Sequence, residues 1–105
     1  MPYRSVLASR DADELFEAIL TLKTPEECYR FFEDLCTIKE VQSISQRFQV
    51  AKLLHQKKTY NEIEEVTKAS TATISRINKC LVYGASGYST VLERIENSQK
   101  GGSKE

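Results

Sequence analysis

A chain of 105 residues supports one domain of ordinary size and leaves too little for a second independent core. Hydrophobic residues make up 40% and charged residues 29%, a globular balance, and no apolar run approaches the roughly 20 residues of a membrane span or the centre of a signal peptide. The expectation is a single cytoplasmic domain over residues 1–96 with net charge zero, which excludes a uniformly basic footprint.

No segment shows the alternation of period two that marks a half-buried strand, and helical spacing recurs almost from end to end, so the fold class is all-α with about six helices. Leu15, Phe16, Ile19 and Leu22 lie three or four apart, and the nearby Asp11, Asp13 and Glu14 suit the positive end of a first helix. Thr24-Pro25-Glu26-Glu27 is a capping-box pattern with proline at the first helical position; it opens a second helix whose stripe is Cys28, Phe31, Phe32, Leu35 and Cys36. Thr37-Ile38-Lys39-Glu40 repeats the pattern before a longer third helix carrying Val41, Ile44, Phe48, Ala51 and Leu54. Lys57-Lys58 closes it, and Thr59-Tyr60-Asn61-Glu62 is a third capping box opening a short helix on Ile63 and Val66. After Lys68-Ala69-Ser70, a second short helix follows on Ile74, Ile77 and Leu81. Gly84 and Gly87 break the chain before a last amphipathic helix on Tyr88, Val91, Leu92 and Ile95, and residues 97–105 read as a mobile polar tail.

Charge is unevenly placed along this order. Residues 1–40 hold five basic against nine acidic groups, and residues 41–83 hold seven against three. Positive charge therefore gathers in the middle of the chain, where a polyanion can be met. Cys28, Cys36 and Cys80 are odd in number and lack a Cys-x-x-Cys pair, which argues against a disulfide framework and a zinc site; reduced core positions are expected for them. The lone His55 has no second ligand beside it, so it reads as a surface or boundary residue, and no metal or other cofactor is expected.

Residues 60–81 have the pattern of a helix-turn-helix. A DNA-reading helix needs an apolar inner face and an outer face of small polar and basic groups near its N-terminus. Ile74, Ile77 and Leu81 supply the first; Thr71, Ala72, Ser75, Arg76 and Lys79 supply the second. Ser70 can cap the first turn, and Thr71, Thr73 and Ser75 can exchange hydrogen bonds with bases. Ala72 can meet a thymine methyl, Arg76 can pair with guanine or grip phosphate, and Lys68 and Lys79 suit backbone contacts. The same residues also fit a capped structural hairpin, since hydroxyl side chains favour helix starts whatever the function.

Tyr60 to Leu81, with Thr-Ala-Thr-Ile-Ser-Arg at 71–76, resembles the helix-turn-helix of the Trp repressor family. The similarity extends over residues 12–95 and points within that superfamily to the Trp-repressor-like YerC/YecD group. Two positions depart from the general motif: Glu64 stands where a small residue is common, and Lys68 where glycine is common in the turn. The resemblance implies a transcriptional regulator, expected to be a repressor, that binds a roughly palindromic double-stranded site as an intertwined homodimer. Leu15, Phe16, Ile19, Phe31, Phe32, Leu35, Val91, Leu92 and Ile95 are many apolar side chains for so short a chain; they either meet a second subunit or fill one monomeric core.

The resemblance also implies a place for an effector, because the name-giving member binds tryptophan between its third and reading helices. Arg47, Thr73 and Arg76 match residues of that pocket, whereas Ile77 stands in place of the glycine that makes room for the indole and Cys80 in place of a serine. A residual pocket of Arg47, Thr73, Arg76, Ile77 and Cys80 without tryptophan binding is the expectation, with any other effector left open. No nucleophile–base pair, glycine-rich phosphate loop or ligand cluster is present in the sequence, so an enzyme is not expected. The competing reading is a protein interaction module built on the same helices.

Overall fold

The computed structural model describes residues 3 and 5–102, the last three by backbone alone. Among the described residues there are six helices and no strand: α1 (Arg10–Ile19), α2 (Pro25–Leu35), α3 (Ile38–His55), α4 (Tyr60–Thr67), α5 (Thr71–Tyr83) and α6 (Gly87–Gly102). None of them is long and apolar enough to cross a membrane.

The contacts divide the chain into two compact units, Met1–Ile38 and Lys39–Glu105, where the sequence reading has one domain. In the first unit Ser9 caps α1, its hydroxyl accepting from the Ala12 N–H at 3.0 Å. Thr24 caps α2 by accepting from the Glu27 N–H at 3.1 Å, with Pro25 at the first position. The expected reciprocal bond of that capping box is displaced by one residue: Glu27 accepts from the Lys23 N–H at 2.8 Å. Phe31 and Phe32 meet edge to face, their ring centroids 5.4 Å apart. Neither α1 nor α2 buries a single residue within the chain, although both carry a strong apolar stripe.

The second unit holds the core. Val50 and Ala51 of α3, Ile63 of α4, Ala69 of the following turn, Ile74 and Ile77 of α5 and Leu92 of α6 are buried together, with Phe48, Leu53, Leu54, Leu81 and Tyr88 packed around them. Four expectations need correction here. Val50, outside the predicted α3 stripe, is fully buried, whereas Ile44, inside it, is 51% exposed. Val66 of α4 is exposed, because the short helix buries only Ile63 against its neighbours. The cysteines are free but are not core residues: Cys28 and Cys80 are exposed and Cys36 is half-buried. α6 also continues through Gly102, so part of the segment read as a tail is helical, since a nucleated helix gains one hydrogen bond per added residue; residues 103–105 lie outside the described residues.

Two sharp links help to set the second unit's path. α3 ends in a Schellman arrangement, with the Lys58 N–H donating to the Leu53 carbonyl and the Lys57 N–H to the Leu54 carbonyl, both at 3.0 Å. Lys57 takes the left-handed conformation (φ 69°) that this motif usually gives to glycine. Gly84 ends α5 so close to the preceding turn that an added Cβ would overlap the Cys80 carbonyl oxygen. His55, at the end of α3, places Nε2 3.7 Å from Oε1 of Glu96 on α6. Because a left-handed non-glycine residue carries about 1 kcal/mol of strain, partly offset by the greater chain entropy of glycine when unfolded, Lys57→Gly is expected to raise stability by up to about 1 kcal/mol in denaturant unfolding. A loss of stability would show that the lysine side chain contributes more than its backbone costs.

Candidate nucleic-acid interface

The α4–turn–α5 unit is built from caps at both starts and a tied turn between them. At the start of α4 the Thr59 hydroxyl accepts from the Glu62 N–H at 3.2 Å while the Glu62 carboxylate accepts from the Thr59 N–H at 2.8 Å, the complete capping box that the sequence predicts. The Thr59 N–H, with its hydroxyl and the nearby Lys58 charge adding to it, holds the Glu62 carboxyl below the usual glutamate range.

At the other end, Lys68 takes a left-handed conformation (φ 65°, ψ 13°) and its N–H donates to the Glu64 carbonyl at 2.8 Å. The turn therefore has the geometry that glycine commonly supplies, without glycine. Two further bonds fix it. The Thr67 hydroxyl donates to the Ile63 carbonyl at 2.8 Å and accepts from the Ala69 N–H at 3.1 Å. The Gln46 amide reaches from α3 to donate to the Thr67 carbonyl at 3.0 Å. Ala69, 4% exposed, then drops into the core and pins the turn from beneath.

α5 starts on Ser70, whose hydroxyl accepts from the Thr73 N–H at 3.1 Å and donates to the Thr73 hydroxyl at 3.0 Å. Its inner face is anchored as the sequence reading expects, with Ile74 fully buried, Ile77 3% exposed and Leu81 half-buried. On the other side Lys68, Ser70, Thr71, Ala72, Arg76 and Lys79 are exposed, and Thr73 and Ser75 are half-buried. None of Lys68, Arg76 and Lys79 enters an ion pair among the described residues. Their charges face solvent along the turn and the outer side of α5.

The structure adds one residue that sequence reasoning noted only as a departure from the motif. Glu64 reaches across the turn, and its Oε2 accepts a hydrogen bond from the Thr71 hydroxyl at 2.7 Å. Gln46 was not singled out at all; its role depends on a contact between residues 21 positions apart that no local pattern reveals.

The five positions matched to an effector pocket have separate local roles. Ile77 is part of the packed core, and Arg47 is exposed and donates to the Ser43 hydroxyl one turn back on α3 at 3.2 Å. Thr73 is held by Ser70, while Arg76 and Cys80 are exposed.

With this geometry in place, comparison with known proteins is decisive. The model of the Trp repressor protein family matches residues 10–96, which includes all of α1 to α5 and most of α6. The chain belongs to the Trp repressor family. An uncharacterized protein of Bacillus subtilis (strain 168), YerC, is 52% identical over 93 residues, covering 89% of each chain. A crystal structure of a Staphylococcus aureus protein assigned provisionally as a Trp repressor superimposes with a TM-score of 0.82 at 53% identity, over 86% of this chain and 90% of that one. A TrpR-like protein from Eubacterium eligens ATCC 27750 gives a TM-score of 0.83 at 54% identity, over 86% and 93%. This is a family of helix-turn-helix transcription regulators rather than of enzymes.

Proposed function

We propose that the protein is a cytoplasmic transcriptional regulator, acting as a repressor, that binds specific double-stranded DNA through α5. The observation that carries this reading is the exposed Ala72, Arg76 and Lys79 face, unpaired in charge, on a helix whose opposite face is locked by Ile74 and Ile77. Arg76 contacts a base edge or phosphate, Ala72 and Ser75 lie against bases, and Lys68 and Lys79 neutralise backbone phosphates. Ser70 and Thr73 fix the first turn of α5, which sets Thr71 toward the base edges.

A homodimer completes the reading. Phe16 is 49% exposed, Leu20 83%, Leu35 48%, Ile38 77% and Ile44 51%. These exposed side chains, with no fully buried residue in α1 or α2, suit burial against a second copy. Two-fold pairing sets two α5 helices about 34 Å apart, in successive major grooves of a roughly palindromic site.

Tryptophan is not the effector in this reading. Ile77 occupies core volume next to α5's inner face, and a close-packed interior has no spare space for an indole ring. Calorimetry with millimolar tryptophan is expected to give no binding isotherm; a clear saturating one would reverse this assignment.

The DNA reading is tested by affinity against salt. Log affinity is expected to fall linearly with log salt, by about 0.9 for each phosphate neutralised. Arg76→Ala is expected to fold normally and weaken binding to a selected site by roughly 1 to 3 kcal/mol. Retention on DNA that is absent at every salt concentration would favour a protein interaction module instead. Sedimentation at micromolar concentration is expected to give a dimer, and a monomer alone would remove the paired-helix geometry.

A further inference from the structure

The Glu64 carboxylate of α4 accepts a hydrogen bond from the Thr71 hydroxyl across the turn. Thr71 is the first residue of α5 and is exposed, so it stands where such a helix meets base edges. A threonine hydroxyl has one proton to donate and two lone pairs with which to accept. Here the proton is committed to Glu64 Oε2 at 2.7 Å. What the pair still offers an approaching base is the Thr71 lone pairs, the Thr71 methyl and the second carboxylate oxygen. It can accept and make apolar contact, but it cannot donate.

Base edges in the major groove differ in that respect. Guanine presents only acceptors, N7 and O6, whereas cytosine and adenine present amino donors and thymine a methyl group. We infer that Glu64 is a specificity-determining residue of the DNA interface: by taking the Thr71 proton, its carboxylate turns the start of α5 into an acceptor-only surface that excludes guanine at the base it faces. The exclusion is energetic, because guanine there sets acceptor against acceptor and a carboxylate against O6, leaving desolvated groups unpaired.

A second consequence follows from charge. Glu64 places a negative group beside the exposed N-terminal turn of α5, where phosphates would otherwise be attracted to free N–H groups. Interaction of two unit charges at about 4 Å in water corresponds to roughly 1 kcal/mol, or about fivefold in affinity. Glu64 therefore weakens binding to arbitrary sequence while it sharpens the choice of base, which separates it from Lys68 and Lys79, whose charges strengthen binding without choosing a base.

The inference rests on the DNA-binding reading, and one experiment separates the two. Selection from random duplexes is run in parallel for the full chain and for Glu64→Gln, which keeps the shape but has an amide that donates. The expected result is a half-site position from which the unaltered protein depletes guanine, and at which Glu64→Gln restores it with the other positions unchanged. Affinity of the variant for random duplex should also rise, by about two- to fivefold at low salt. An unchanged base profile at every position overturns the inference even if the random-duplex affinity rises, since charge alone then accounts for the residue. Failure of the unaltered protein to enrich any site overturns the DNA-binding reading itself. Should the amide variant unfold, Glu64→Ala repeats the test, because alanine is a good helix former and brings no acceptor.

Discussion

The structure depends on one packed cluster in which α5 is fastened through Ile74 and Ile77 to Ile63 of α4, Val50 and Ala51 of α3 and Leu92 of α6. Each fully buried isoleucine contributes roughly 1.5 to 3 kcal/mol relative to exposure, so the few contacts of a short helix suffice to hold it in one orientation. Two helices of 8 and 13 residues would be marginal in isolation. Packing, with a cap at each start, makes them rigid enough to present side chains at fixed positions. Ala69 shows how closely the turn is drawn in: a larger side chain there would have to displace the isoleucines around it.

That anchoring separates two kinds of surface. One is polar and cationic, on the outer side of α5. The other is apolar: among the described residues Phe16, Leu20 and Leu35 of the first unit and, in the second, Ile44 of α3 are exposed. A chain of this size cannot bury every apolar stripe it carries, and assembly is the usual solution. Family membership, exposed apolar side chains and a tightly anchored helix pair all agree with the proposed function.

Charge on the helix pair is mixed. Lys68, Arg76 and Lys79 are exposed and outside any ion pair among the described residues, whereas Glu64 of α4 is bonded to Thr71, the first residue of α5. Under the proposed function the cations favour any nucleic acid, and the acidic group trades general attraction for discrimination.

The sequence by itself determined the helix starts and the helix-turn-helix. Capping is local chemistry, so Thr24, Thr59 and Ser70 could be read from residue type and spacing, and the Ile74–Ile77 inner face from helical periodicity. Only tertiary structure decided that Val50 is buried while Ile44 and Val66 are open, because periodicity identifies an apolar face but not how much of it a neighbour covers. It likewise decided that Gln46 braces the turn, that His55 meets Glu96, and that Glu64 takes the Thr71 proton. Those pairs join residues from different helices, and their chemistry exists only once the chain has brought them within a few ångströms.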